Sequence, residues 1–355
     1  MKFCRFFSIP SLIPACLLFF VAALPLLVPA RGEAKPLPDV IVQDGQPINL
    51  QQEKYRKLFL ELEQKYNFQP TELEQIFQGQ KIAGQVLDLM DKQWKRRPYY
   101  EYFRLFLTPK TISTGKEKLR LHKELLDRIE KKFGVEREII VAIWGIETRY
   151  GTNQGDFTIL RTLNTLFDAY PRRAEFFREE LIHFLILCRE HGVDPKTAKG
   201  SYAGAFGQAQ FMPSSFRRFA VSFDGNERCD LWNSVPDALA SIANYLKIHG
   251  WIYGTPIYVE LGNTLKDKRL RAAMEEGRKG RVPWELVRDV QKKDLPPSPG
   301  GLPLSIIGLE LDPKTSEHAY RYVAGYPNFH TITEYNHSLF YGMAVSELAE
   351  LLKKK

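Results

Sequence analysis

Residues 135–152 read VEREIIVAIWGIETRYGT, an amphipathic helical stretch on whose apolar face a carboxylate stands. Ile140, Ile143 and Glu147 fall at i, i+3 and i+7 and so share one side of the helix. Glu147 also lies in the last turn, where the negative end of the helix dipole disfavours a second negative charge. Burial and dipole would both push its pKa upward, the direction a general acid working near neutral pH requires. A plainer account is equally consistent with the spacing: a glutamate at the edge of the stripe, solvated and paired with Arg149 or Arg161.

Outward from this helix the pattern stays helical. Tyr55, Leu58, Phe59 and Leu62 recur at helical spacing, and Thr71 with Glu74 forms a capping box ahead of Ile76 and Phe77. Further helices are expected over 118–133, 136–150, 174–190 and 238–249, with Gly134 and Gly192 as stop signals. After Gly254 the texture changes to short β-branched or aromatic runs at 257–261, 305–311, 319–324 and 330–335, which predict a small sheet. Between them 295–301 (LPPSPGG) is a loop, and 274–281 is charged, broken by glycine and without a core face. Residues 338–352 return to helical spacing. The fold class is mainly α (α+β), divided into 40–251 helical, 252–334 β-containing and 335–355 returning to the body.

Lys2 and Arg5 precede an apolar run ending at small residues, the pattern of an export signal over 1–30, with cleavage after Ala30 or alternatively Ala34. Cys16 sits in a faint lipidation-like box but is followed by more apolar residues, which argues against lipidation. Cys4 and Cys16 leave with the leader, and the remaining Cys188 and Cys229 lack metal-ligand spacing. Cys188 reads as a buried thiol on the stripe of Phe177, Leu181, Phe184 and Leu185, and pairing with Cys229 stays open. The formal charge of +8 falls to +6 without Lys2 and Arg5. A basic exported chain suits an anionic polymer, and export argues against nucleic acid as the partner.

Three ordered motifs carry more information. They are Gly145-Ile146-Glu147-Thr148-Arg149-Tyr150-Gly151, Tyr170-Pro171-Arg172-Arg173-Ala174-Glu175-Phe176-Phe177, and the run 200–215 (GSYAGAFGQAQFMPSS). With Ala243-Asn244-Tyr245, His249-Gly250-Trp251 and Tyr335-Asn336-His337-Ser338 they resemble the lytic murein transglycosylase B family over nearly all of the mature chain. The resemblance implies a lysozyme-like helical core with an additional helical domain and a small β-containing domain around a glycan groove. It places Glu147 as catalytic acid and then base, cleaving the bond between N-acetylmuramic acid and N-acetylglucosamine with closure of a 1,6-anhydro ring. Ordinary glycosidases use two carboxylates, whereas this family uses one. The resemblance further assigns Ser201, Gln210, Tyr245, Tyr335, Asn336 and Tyr341 to the groove, with Tyr102 on a shorter match. Arg172 and Arg173 would grip lactyl or peptide carboxylates. Peptidoglycan glycan strands are the implied partner of a monomeric periplasmic protein, with membrane association and cell-wall synthesis or hydrolysis complexes left open. As a phosphate cradle the glycine-rich run 200–207 lacks the required Lys-Ser or Lys-Thr ending.

Residues 222–230 sit where some family members carry an EF-hand-like calcium loop. The implied ligands are Ser222, Asp224, Asn226 and Asp237, with Ser222 in the first position, Glu227 at the turn glycine and Asp237 shifted in spacing. No cofactor is required by this reading, and calcium binding would be weak. Asp237 has a plainer role too, since Ser234-Val235-Pro236-Asp237 is a helix-start pattern. Two other functions compete: a non-catalytic peptidoglycan-binding scaffold, and a lysozyme-type hydrolase, which needs a second carboxylate, Asp156 being the nearest in sequence.

Overall fold

The computed structural model describes residues 43–92 and 97–354; the export signal and its cleavage sites lie outside them. The chain is mainly helical, with a lysozyme-like core and small sheets. The helix Arg137–Thr148 is the axis of the main core. Every residue from Ile139 to Gly145 is buried, so the apolar stripe continues round the whole helix. Gly134 and Gly192 end the helices Lys123–Phe133 and Ala174–His191 in the left-handed conformation, at φ 66° and 69°.

Four expectations differ in detail. The 118–133 segment is two helices, Pro109–Leu121 and Lys123–Phe133, broken at His122, whose ring packs against Trp144. The helix Pro70–Phe77 begins one turn position earlier than the Thr71 signal: Pro70 starts it, and Glu72 accepts the Gln69 backbone N–H at 3.4 Å. Residues 274–281 do touch a core at one point, because Met274, in the last turn of the helix Lys268–Glu275, packs against the cluster that holds Leu270 and Ala273. Finally, 330–335 is no strand; it belongs to the helix Pro327–Tyr335. Its β-branched run suggested extended chain, but Phe329 and Ile332, at i and i+3, are both fully buried, and burying two such side chains stabilises by roughly 3–6 kcal/mol. Asn328 clamps the helix start by accepting from Ile252 N and donating to Ile252 O, both at 2.8 Å.

The other three expected strands form. Tyr320–Gly325 lies between Tyr258–Gly262 and Ser305–Glu310, antiparallel to both, with Tyr258 opposite Gly325 and Ile306 opposite Ala324. Both faces are covered. Ile306 and Ala324 pack with Leu270 and Val287 of the neighbouring short helices, while Ile307, Leu309 and Val323 pack with Phe329, Met343 and Tyr99. Through that second face the sheet supports the helices Pro327–Tyr335 and Leu339–Lys353, and the latter packs along Arg137–Thr148. Among the described residues no helix is long and apolar enough to cross a membrane. Cys188 and Cys229 are both buried.

Candidate active site

Glu147 occupies the penultimate position of its helix, which Arg149 closes in the left-handed conformation at φ 49°. Thr148 staples the helix end to the 200–210 loop. Its hydroxyl lies 3.0 Å from the Gln208 carbonyl and 3.2 Å from that of Trp144, and it accepts the Gly151 N–H. Trp144 Nε1 donates to Gln208 Oε1 at 3.1 Å. Sequence reasoning missed Trp144, Thr148 and Gln208 as supports; a signal lay in the buried side of the helix and in the polar Gln208 inside an otherwise small-residue run.

The pairings of the plainer account do not form. Arg149 is exposed, and Arg161 donates to the carbonyls of Lys81 and Ile82 and faces Asp44 at 3.6 Å. Among the described residues no cation pairs with Glu147. Its side chain is half-buried, and burial pushes its pKa from 4.5 up to about 7, against the pull of a hydrogen bond from Tyr341. That bond is short, Tyr341 Oη donating to Glu147 Oε1 at 2.6 Å. Burial, followed by the charge of Glu147, holds the Tyr341 and Tyr335 hydroxyls well above the usual phenol range, so both remain donors. Asp156, the sequence candidate for a second carboxylate, is exposed, and no acidic group contributes to the shift of Glu147.

A stack of tyrosines extends from the carboxylate. Tyr341 and Tyr335 are nearly parallel at 6.5 Å, and Tyr245 follows 4.8 Å from Tyr335. Each hydroxyl beyond Tyr341 is satisfied by backbone: Tyr335 donates to Ala209 O at 2.6 Å and Tyr245 to Glu334 O at 2.7 Å. Tyr102 feels the same carboxylate, its hydroxyl pushed up to about 12 by burial and by Glu147, and its ring meets Phe340 at 5.8 Å. Five of the expected residues therefore converge: Glu147, Tyr102, Tyr245, Tyr335 and Tyr341.

The remaining ones are placed differently. Ser201 accepts the Ala205 N–H at 3.1 Å through Oγ, which folds the glycine-rich run into a tight loop. Gly204 in that loop, at φ 88°, is required twice over, since a Cβ there would stand 2.4 Å from Leu163 Cδ2. Gln210, itself left-handed at φ 48°, donates from Nε2 to the carbonyls of Gln154 and Gly207. Asn336 is exposed beyond the end of Pro327–Tyr335. Arg172 and Arg173 are exposed on the turn Pro171–Arg173, the latter stacked over Phe176 at 4.1 Å.

The 222–237 loop is organised around Asp237. Asp237, fully buried, accepts three backbone N–H groups, from Phe223 (2.6 Å), Asp224 (3.1 Å) and Asp230 (2.8 Å). Asp224 turns its oxygens to Asn226, and Ser222 donates to the Asn226 carbonyl. Among the described residues no group of three or more His, Cys, Asp or Glu side chains converges. Ser222, Asp224, Asn226 and Asp237 thus bond to one another and to the backbone, whereas a calcium ion takes six to eight oxygen ligands.

Comparison with known proteins bears on the family and the fold. The family model described as Transglycosylase SLT domain matches residues 51–350. The membrane-bound lytic murein transglycosylase B of Escherichia coli K12 is 37% identical over 303 residues, 81% of this chain and 79% of that protein. The E. coli lytic transglycosylase Slt35 in complex with bulgecin A superimposes with a TM-score of 0.76 at 34% identity, covering 89% of this chain and 98% of Slt35; Slt35 has also been solved in complex with calcium. Pseudomonas aeruginosa SltB3, bound to NAG-anhNAM-pentapeptide, gives a TM-score of 0.69 at 29% identity, over 85% of this chain and 79% of SltB3. With this match across 51–350, and with 37% identity to the E. coli transglycosylase over most of both chains, the chain belongs to the Transglycosylase SLT domain family.

Proposed function

We propose that this protein, by family and relatives a lytic transglycosylase acting on peptidoglycan, cleaves the β-1,4 bond between N-acetylmuramic acid and N-acetylglucosamine using Glu147 alone as acid and then base. The observation that carries the proposal is the lone carboxyl whose pKa sits at about 7, so that it is available in both protonation states near neutral pH. Protonated Glu147 gives its proton to the glycosidic oxygen as the C1–O bond breaks. The substrate's 2-acetamido group stabilises the cationic centre that results. The glutamate, now a carboxylate held by the Tyr341 hydroxyl, takes the proton of the muramic C6 hydroxyl as its oxygen bonds to C1. The proton count closes on Glu147 and no water is consumed. The absence of any acidic contribution at Glu147 favours this over a two-carboxylate hydrolysis.

Around that centre the tyrosines Tyr102, Tyr245 and Tyr335 provide flat walls for sugar rings, and Ser201, Gln210 and Asn336 line the groove with polar groups. Arg172 and Arg173, exposed on the turn Pro171–Arg173, are suited to stem or lactyl carboxylates. Export to the periplasm, where such a substrate lies, accords with the N-terminal pattern. In the three-part organisation, 335–355 returns to the helical body and carries Tyr335, Asn336 and Tyr341. The test is Glu147→Gln on purified sacculi. The folded variant should bind the polymer yet release anhydromuropeptides at least a hundredfold more slowly, on the order expected for loss of a positioned acid and base. Anhydro product at a near-normal rate, by mass spectrometry, would remove Glu147 from the chemistry.

A further inference from the structure

A cavity of about 680 Å³ opens at the far end of the tyrosine stack, and of its lining only Tyr245 has a part in the proposed mechanism. Tyr245 forms one wall, and the others carry Arg217, Arg218, His183, His249 and His337. The lining is basic. Its one acid, Glu334, is committed to Arg278 at 2.7 Å and faces His330 at 3.3 Å. Arg217 is engaged by His183 and, at 3.4 Å, by Glu190. Arg218 is exposed and has no carboxylate partner among the described residues; its guanidinium rests over the Phe219 ring at 5.1 Å.

The hydrogen bonds around the histidines define what they offer. Arg217 can only donate, so the Nδ1 of His183, 3.0 Å away, must accept, which leaves the proton on Nε2. His249 directs Nδ1 at the Tyr245 carbonyl (2.7 Å), and His337 directs Nδ1 at that of Thr333 (3.1 Å). A carbonyl cannot donate, so both rings carry their proton on Nδ1 and keep Nε2 free. The cavity therefore combines a planar, unpaired guanidinium with one fixed imidazole N–H and two imidazole nitrogens able to accept from an amide. That set matches a peptide with a carboxylate.

We infer that this cavity binds a carboxylate of the peptide stem on a saccharide lying in the adjacent groove, with Arg218 as the principal contact. The placement supports a stem over a free anion. Ring-to-ring steps of 6.5 and 4.8 Å lead from Tyr341, which holds Glu147, through Tyr335 to Tyr245 at the cavity wall. An extended peptide of about three or four residues, at ~3.5 Å per residue, covers that span. This inference rests on the proposed peptidoglycan activity only for the identity of the ligand that carries the carboxylate.

The experiment compares full-chain wild type and Arg218→Gln on two glycan oligomers of equal length, one with peptide stems and one stripped of them. With stems, Arg218→Gln should raise KM about tenfold at nearly unchanged kcat, as loss of a charge-assisted hydrogen bond predicts. Without stems, the two proteins should agree within about twofold. Arg218→Lys should recover part of the loss, since charge returns without the planar fork. Equal effects on both oligomers, or none on either, overturn the inference. If inorganic phosphate at millimolar concentration inhibits wild type equally on both oligomers, the cavity is a free-anion site and the stem assignment falls. Failure of wild type to form anhydro ends on either oligomer is a different result: it refutes the proposed activity and is seen before any variant is compared.

Discussion

Replacing Glu147 by Gln should make the protein more stable, and only above a defined pH. In the folded chain the carboxyl titrates at about 7, against 4.5 ordinarily. At about 1.4 kcal/mol for each pH unit, the folded state pays roughly 3 kcal/mol to hold the charge. Because the folded pKa is raised, the wild type keeps its full stability below about pH 4.5 and loses this increment as pH rises through about 7. Glutamine keeps the shape and can still accept from Tyr341 Oη through its amide oxygen, but it never ionises. The two proteins should therefore melt together near pH 4, diverge between about 4.5 and 7, and differ above that by about 2–3 kcal/mol once the partial exposure of the side chain is discounted. For a chain of this size that is on the order of 5 °C in Tm. Calorimetry of both proteins across this range is the assay. A Tm difference that is absent near pH 8, or one of equal size near pH 4, would refute burial of the charge as the origin of the shift.

Further outcomes follow from single contacts. Tyr341→Phe removes the donor that pulls the Glu147 pKa down, so the alkaline limb of the kcat/KM profile should move to higher pH while turnover falls; an unmoved limb would mean that the bond does not form. Gly204→Ala, which introduces a Cβ at φ 88° against Leu163, should lower stability by about 1–3 kcal/mol in a denaturant titration. Asp237→Ala leaves three backbone N–H groups without acceptors and should cost about 2–4 kcal/mol, whereas adding calcium or a chelator to wild type should shift Tm by less than about 1 °C. A large calcium-dependent rise in Tm would show that the loop rearranges to ligate the ion.

The family was more legible than the geometry around Glu147. An acid on the Ile140–Ile143 stripe stands out because helical spacing exposes it, and the three motifs identify the family from residues alone. What spacing cannot give is the partner of that acid, since Tyr341 lies 194 positions away; it entered only through the resemblance. The calcium loop shows the opposite limit. Its acidic residues were readable, yet whether Asp237 faces a cation or three N–H groups depends on backbone orientation, which composition does not encode. The 330–335 segment was misread for a related reason. Thr331, Ile332 and Thr333 favour a strand locally, but Pro327 at the helix start, the Asn328 clamp on Ile252 and the burial of Phe329 outweigh that preference.

That helix matters because of what it delivers. The small sheet contributes no side chain that touches Glu147, yet it holds the segment that does. Glu347 accepts from Tyr99 Oη at 2.6 Å and from Arg321, which also pairs with Glu260 of the neighbouring strand, while Tyr258 donates to Glu350 at 2.7 Å. All of these anchors fall on the part of Leu339–Lys353 that faces the sheet, about two turns beyond Tyr341. A hydroxyl that must sit 2.6 Å from a carboxyl tolerates little slack, and a helix fixed at one end by its Ser338 cap and at the other by a strand-borne arginine has little. The sheet is thus the structural reason that Glu147 meets a donor as well as a buried surface, and burial alone would leave its carboxylate form less stabilised for the second step of the proposed reaction.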